Sequence, residues 1–188
     1  QIKNLLSDFR SHFIDKQTHH LVLFMDEKWN SSRQIYSYGH DIEAAWLLLE
    51  AAEALEDQAL IEVFKDIALK MADAATEGIR EDGSLVYEHD LDTEHLIEEK
   101  HWWVQAEAVV GFLNAWQISG ETKYKTVAEN VWQFTKEYIV DQQNGEWFWG
   151  RNKDLSLMSG NDKAGLWKCP YHNSRACLEV IRRMDSRT

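Results

Sequence analysis

The sequence predicts an all-α fold built from stacked helical hairpins. Proline occurs once in 188 residues and glycine only nine times, whereas both residue types mark the frequent turns of β folds. A repeat of about 60–70 residues is also present, in which an amphipathic helix alternates with one that is apolar almost all round. Because helices of the second kind are buried on most sides, we expect them inside the stack and the amphipathic helices outside.

Three segments align as the buried helices of this repeat. Each begins with polar or short residues and continues with apolar residues at helical spacing. They are His40 to Ala51, Val104 to Ala115 and His172 to Ile181. Because they occupy equivalent positions of the repeat, their N-termini are expected at one end of the stack, in one shared mouth.

An amphipathic helix precedes each buried one. These helices are predicted at Ile2 to Ile14, Leu60 to Glu77 and Tyr124 to Ile139. Each is followed by a turn and a short stretch of β-favouring residues, which predicts a small hairpin in which glycine supplies the positive φ. The acidic run Glu88–Lys100 is predicted to be a solvated or lid-like loop.

Charge and cysteine content exclude several classes of function. The chain has 20 Lys+Arg against 32 Asp+Glu, a net charge of −12, so phosphate backbones and anionic lipids repel it. We therefore expect neither a nucleic-acid nor a membrane partner, and no apolar run approaches the ~20 residues that cross a bilayer. Two cysteines, Cys169 and Cys177, are too few for a disulfide scaffold, which favours a cytoplasmic location.

Two histidines at equivalent positions of the repeat are the candidate catalytic residues. His40 and His172 begin two of the buried helices, and a charged side chain follows each three residues later, Glu43 or Arg175. Since residues i and i+3 share a helix face, Glu43 is expected to orient the His40 ring. The alternative is that each histidine caps its helix or packs in the core.

Tryptophans near the same helix starts form the candidate binding surface. Trp102 and Trp103 precede the second buried helix, and Trp167 precedes the third. Flat aromatic faces contact the C–H faces of sugar rings, as they do other apolar or cationic surfaces. The alternative, a tryptophan-rich core, suits Trp103 and Trp167 less well because they stand in loops.

The sequence favours a site without a metal or an organic cofactor. It has no glycine-rich phosphate loop, no G-x-S-x-G elbow and no dinucleotide fingerprint. His40 and Glu43 could supply two metal ligands, but the position three residues after His172 is an arginine. Neither an HExxH motif nor a pair of Glu-x-x-His motifs is present.

Four segments carry a resemblance to a known family. They are SYGHDIEAAWLLLEA (37–51), KHWWVQAEAVVGFLNAW (100–116), EWFWG (146–150) and WKCPYHNSRAC (167–177). Together they resemble the N-acylglucosamine 2-epimerase superfamily, and the PYHNSRA form around His172 favours its cellobiose 2-epimerase branch. The motifs occur in the family's order and span nearly the whole chain.

The resemblance implies an (α/α)6 barrel, a ring of helical hairpins around a central cleft, in a chain about twice this length. The repeats found here then correspond to about three of its six hairpins, with short β-hairpin connections. Residues 1–188 are expected to be the C-terminal half of a single catalytic domain. Half a barrel exposes apolar surface, so the missing N-terminal half or self-association is expected to cover it.

The resemblance also implies the roles of the candidate residues. His40 and His172 match the two catalytic histidines, and Glu43 matches the glutamate that supports the first. The substrate-binding candidates are Trp102, Trp103, Trp167 and Arg175. The family's further histidine, which opens the sugar ring, belongs to the N-terminal half.

Two bases suit the chemistry of a 2-epimerase. The C2 hydrogen of an open-chain aldose is acidified by the C1 carbonyl, and its removal gives an enediolate. Inversion requires the proton to return on the opposite face, and an imidazole with a pKa near ~6.5 serves as acid or base at neutral pH. By resemblance, His172 abstracts from the gluco epimer of a small sugar or disaccharide and His40 reprotonates it.

Three other functions stay open. An aldose–ketose isomerase on the same fold moves the proton from C2 to C1. A non-catalytic fragment binds a sugar or a protein without turnover. An (α/α)6 glycoside hydrolase needs a pair of catalytic carboxylates, for which Glu43 and Glu107 are the obvious candidates, and it leaves the two histidines unexplained.

Overall fold

A computed structural model describes residues 1–185 and shows a helix-rich chain, as predicted. The α-helices are α1 Ile2–Asp8, α2 Tyr38–Glu53, α3 Gln58–Ala75, α4 Trp102–Ser119, α5 Thr122–Phe134 and α6 Tyr171–Asp185. The π-helical segments Phe9–Phe13 and Thr135–Ile139 extend α1 and α5, and a 3₁₀ turn, Thr76–Gly78, follows α3. Among the described helices, none has the length and apolar character needed to cross a bilayer.

Buried and half-exposed helices alternate as the repeat predicts. Helices α2 and α4 are buried on most sides, while α3 and α5 are amphipathic and pack their apolar faces against them. Helices α2 and α4 cross closely, because Gly111 of α4 lies directly against Ile42 of α2. These two helices form the centre of the molecule.

Helix α6 differs from the prediction. The segment from His172 to Ile181 was expected to be buried on most sides, but only Asn173 and Ala176 of α6 are buried. Leu178 is 68% exposed and Ile181 is 58% exposed. The prediction is wrong because α6 packs on α4 along one face, and within residues 1–185 no helix covers its other side.

Short β elements connect the helices. Strands β1 (Phe24–Met25) and β2 (Ser31–Arg33) pair, as do β6 (Lys100–His101) and β7 (Gly150–Arg151), while β3 (Ile35–Ser37), β4 (Glu88–Asp90) and β5 (His95–Ile97) form an antiparallel sheet. The three predicted hairpins close through isolated bridges, and Gly83 and Gly145 in two of the turns have positive φ. The bridged pairs are Ile14 with Leu21, Ile79 with Leu85 and Val140 with Trp147.

The acidic run Glu88–Lys100 is a β-hairpin rather than the predicted loop. Strand β4 pairs with β3, which leads directly into α2. Asp90 is neutralised by Arg33 at 2.9 Å, and Leu96 packs against the main hydrophobic core. The strand pairing, the Asp90–Arg33 ion pair and the packing of Leu96 together hold the run in place.

A buried polar pair holds the beginning of α2. Asp41 is fully buried, with Oδ2 2.7 Å from Nδ1 of His20 and Oδ1 accepting the amide of Leu21 at 2.7 Å. Although burial opposes it, the hydrogen bond to Asp41 raises the pKa of His20. The His20 ring also stacks on Tyr36, with centroids 3.7 Å apart. This pair ties an N-terminal turn to the helix that carries His40.

Candidate active site

The N-termini of α2, α4 and α6 meet at one mouth, which confirms the arrangement predicted from the repeat. The indole of Trp103 stands between them. Its ring lies 4.7 Å from that of His40 and 5.7 Å from that of His172, measured between centroids. The two candidate bases therefore lie against the same aromatic ring, although 132 residues separate them in the chain.

A buried carboxylate orients His172. Glu107, on α4, is 1% exposed, and its Oε1 lies 2.7 Å from Nδ1 of His172. Since a carboxylate only accepts hydrogen bonds, Nδ1 of His172 carries a hydrogen, and in the neutral ring the free lone pair is on Nε2. A histidine held in this way by a carboxylate has the orientation and charge stabilisation of a general base.

Arg175 joins two carboxylates at the mouth. Its Nη2 donates to Oε1 of Glu43 and to Oε1 of Glu107, at 2.6 Å in each case. The guanidinium lies over the rings of Trp46, at 5.0 Å, and Tyr171, at 4.4 Å. Burial and the neighbouring Glu107 raise the pKa of Glu43, and the hydrogen bond from Arg175 opposes this.

Glu43 has a different partner from the one predicted. Nδ1 of His40 lies 2.8 Å from Oγ of Ser37, whereas Glu43 accepts from Arg175. The prediction that Glu43 orients His40 is therefore wrong. The charged guanidinium attracts this carboxylate towards α6 more strongly than a neutral imidazole does. Glu43 instead lies 4.0 Å from Nδ1 of His172.

His40 is in an environment that favours its neutral form. His40 is exposed at the mouth, but protein atoms surround part of its ring. The resulting desolvation lowers the pKa of His40. The nearby His172 lowers this pKa further, while Glu107 raises it. Because a neutral imidazole has a free lone pair, His40 is suited to accept a proton near pH 7.

The predicted tryptophans occupy three different environments. Trp103 is half-buried and lines the mouth. Trp102 is 3% exposed and packs against Trp149 and the buried Lys168. Its prediction as a substrate contact is therefore wrong, since it has no ring face open to a ligand. Trp167 is 81% exposed before α6, and in the described part of the chain it makes no ring contact with either histidine.

The mouth contains a set of groups suited to a metal ion. Ligand atoms of Glu43, Glu107 and His172 all lie within 4.8 Å of one another. Arg175 already donates to the same Oε1 atoms of both glutamates. Its guanidinium supplies the positive charge that an ion would bring, so this set fits an ion-pair network better than a metal site.

The same contacts disfavour a glycoside hydrolase. Its two carboxylates must flank the scissile bond. Glu107 is 1% exposed, however, and one Arg175 nitrogen is bound to it and to Glu43. Neither carboxylate is free to protonate a leaving group or attack a sugar.

Sequence patterns did not identify Glu107 and Ser37 as partners of the histidines. Glu107 stands three residues after Val104, the same repeat position that Glu43 and Arg175 occupy after His40 and His172. A carboxylate on an otherwise apolar helix requires a buried partner, and this signal could have identified Glu107. Ser37 gave no such signal, because serine is common immediately before a helix as an N-cap.

Comparison with known proteins identifies the family of this chain. The model of the N-acylglucosamine 2-epimerase (GlcNAc 2-epimerase) family matches residues 1–176. The chain is 46% identical over 181 residues to a cellobiose 2-epimerase of Bacteroides fragilis, covering 96% of this chain and 46% of that protein. It is 41% identical to a cellobiose 2-epimerase of Dictyoglomus turgidum, over 98% of this chain and 47% of that protein.

A solved structure of a sugar epimerase is similar to this chain as well. The crystal structure of a sugar epimerase from a ruminal bacterium matches with a TM-score of 0.92 and 41% sequence identity, over 96% of this chain and 46% of that one. The chain therefore spans about half the length of the curated relatives that it matches.

Proposed function

The chain belongs to the N-acylglucosamine 2-epimerase family, and on this basis we propose that it is part of a sugar 2-epimerase. The proposed reaction interconverts the C2 epimers of a reducing-end aldose, with a disaccharide of the cellobiose type as substrate. One observation carries the proposal: His40 and His172 lie against one indole, and the protein binds Nδ1 of each ring. Their Nε2 atoms are the proposed proton carriers.

The proposed reaction begins with one histidine protonated and the other neutral. Burial, and then the charge of His172, lower the pKa of His40, so the two rings are not protonated together and a protonated His40 gives up its proton readily. In the gluco-to-manno direction, neutral His172 takes the C2 proton and Glu107 stabilises the resulting imidazolium. The C–H electron pair forms the enediolate, and protonated His40 delivers its proton to the opposite face of C2. The reverse direction exchanges the two roles.

Aromatic and charged groups around the histidines are the proposed substrate contacts. Trp103 offers a half-buried ring between the two bases, suited to the C–H face of a sugar. Trp167 offers an exposed ring on the loop before α6. Arg175 carries a positive charge near the enediolate, where donors lower the barrier.

We also propose that the helical hairpins described above form about half of an (α/α)6 barrel, the C-terminal half of the catalytic domain. Two observations support this. The chain covers 46% of a cellobiose 2-epimerase, and the apolar side chains of α6 are exposed. In the complete enzyme the other half would cover this face and supply the residues that open the sugar ring.

Deuterium labelling tests the proposed reaction. In heavy water with cellobiose, the complete enzyme should place deuterium at C2 of both epimers, because the histidine that reprotonates C2 carries a deuteron from solvent and the reaction runs in both directions. The measurement is NMR or mass analysis of the separated sugars. Deuterium at C1 of a ketose would instead indicate an aldose–ketose isomerase, and absence of any exchange would reject both activities.

The open face of α6 predicts self-association of this chain when it is isolated. Sedimentation velocity should show a concentration-dependent dimer or larger species, and replacing Leu178 and Ile181 with glutamate should weaken it. The matched control is Leu5→Glu, since Leu5 is 54% exposed on α1. A stable, well-ordered monomer at every concentration would argue against the half-barrel proposal.

A further inference from the structure

The serine that precedes α2 does not act as the helix cap that its position predicts. Serine is favoured at an N-cap because its Oγ accepts a backbone amide of the first turn. Ser37 is the N-cap residue of α2, yet its side chain makes no capping hydrogen bond. Oγ lies instead 2.8 Å from Nδ1 of His40, and the residue is 1% exposed. The buried hydroxyl thus serves the histidine rather than the helix.

Glu88 faces this hydroxyl from the neighbouring strand. Ser37 and Glu88 lie directly opposite each other where β3 pairs with β4, so their side chains are on the same face of the sheet. Burial raises the pKa of Glu88, and the nearby hydroxyls of Ser37 and Tyr87 oppose this shift. Because an ionised carboxylate only accepts hydrogen bonds, a Ser37 hydroxyl turned towards Glu88 keeps a lone pair for the Nδ1 hydrogen of His40.

We propose that Ser37 and Glu88 are positioning residues that hold His40 as its Nδ1–H tautomer, with the lone pair of Nε2 free. This inference rests on the proposed function, in which Nε2 of His40 exchanges a proton with C2 of the sugar. It explains how both histidines share one tautomer. Glu107 contacts His172 directly, whereas at His40 a neutral hydroxyl stands between the ring and the carboxylate.

The tautomer of His40 can be measured without any enzymatic activity. Nitrogen-15 shifts of the imidazole distinguish the two forms, and the His40 signals are identified by their absence in His40→Asn. We expect Nδ1–H in the wild-type chain. In Ser37→Ala the population should move towards Nε2–H, the form that free imidazole side chains prefer. Glu88→Gln should give a mixture, because an amide lets the hydroxyl donate in either direction.

The kinetic consequence is measured in the complete enzyme. Ser37→Ala should lower kcat for epimerisation about tenfold with little change in KM, because Ser37 acts through His40 rather than on the sugar. Ser37→Thr keeps the hydroxyl and should recover most of the loss. The matched control is Ser84→Ala: Ser84 is also fully buried and donates to a carboxylate, that of Asp82. This control should leave kcat and the tautomer unchanged.

The outcomes separate this inference from the proposed function. An unchanged His40 tautomer in both Ser37→Ala and Glu88→Gln would overturn the inference, even if kcat fell. A wild-type enzyme that exchanges no C2 proton, but whose tautomer responds to Ser37→Ala, would refute the epimerase and support the positioning role. If Ser37→Ala does not fold, the shift in Glu88→Gln decides the question.

Discussion

Replacing His172 with asparagine should lower the rate of C2 epimerisation by about 10³-fold while the fold is preserved. The asparagine amide can still donate to Glu107, which receives Nδ1–H of His172 in the native protein. It has no basic nitrogen, however, and cannot take a proton from C2. His40→Asn should be equally damaging, because epimerisation needs a proton donor on the opposite face.

Heavy-water exchange distinguishes the two variants. In His40→Asn, His172 can still remove and return the proton on one face, so the gluco epimer should gain deuterium at C2 without inversion. In His172→Asn, the manno epimer should behave in the same way. The control is His12→Asn, since His12 is an exposed histidine stacked on Trp29. Epimerisation at the wild-type rate in either active-site variant would refute the two-base mechanism.

Glu107→Gln should reduce both stability and activity. Three donors face the Glu107 carboxylate: Nε1 of Trp46 at 3.1 Å, Nδ1 of His172 and Nη2 of Arg175. An amide has only one accepting oxygen, so its NH₂ group must face at least one of these donors. Because the site is buried, we expect the free energy of unfolding to fall by about 3 kcal/mol. Epimerisation should fall by about 10²-fold, since His172 loses its orienting charge.

Denaturant unfolding and the epimerisation assay measure these two effects. Glu50→Gln is the matched control, because Glu50 also pairs with arginine, Arg182, but is 32% exposed. Its substitution should change the free energy of unfolding by less than about 1 kcal/mol. Equal effects of the two substitutions would contradict a central role for Glu107.

The mouth could be predicted from sequence because it follows from the repeat. His40, Trp103 and His172 stand at equivalent helix starts, so the register alone brings them together. The partner of Glu43 could not be predicted in the same way. Helical spacing predicts contacts of Glu43 only with residues of the same helix, whereas Arg175 lies 132 residues away in sequence. A contact of that range depends on the packing of α2, α4 and α6.

Two further differences have simple physical origins. Trp102 and Trp103 are adjacent on α4, and successive side chains of a helix point about 100° apart, so only one of them faces the mouth. The periodicity of the sequence does not show which of the two tryptophans faces the mouth. In α6, the apolar pattern shows that one face avoids water, but it does not show what covers that face. Leu178 is therefore exposed in this chain although its pattern is that of a buried helix.

The close crossing of α2 and α4 sets, through the backbone, how far His40 on α2 lies from Glu107 on α4, the carboxylate that binds His172. A Cβ at Gly111 would lie 2.5 Å from Cγ1 and 2.7 Å from the carbonyl oxygen of Ile42. Ile42 is two residues after His40, and Gly111 is one turn after Glu107. For enzyme engineering, this separates the loops around the mouth, where changes leave the proposed proton path in place, from the helix crossing. At Gly111 even one methyl group would alter that proposed path.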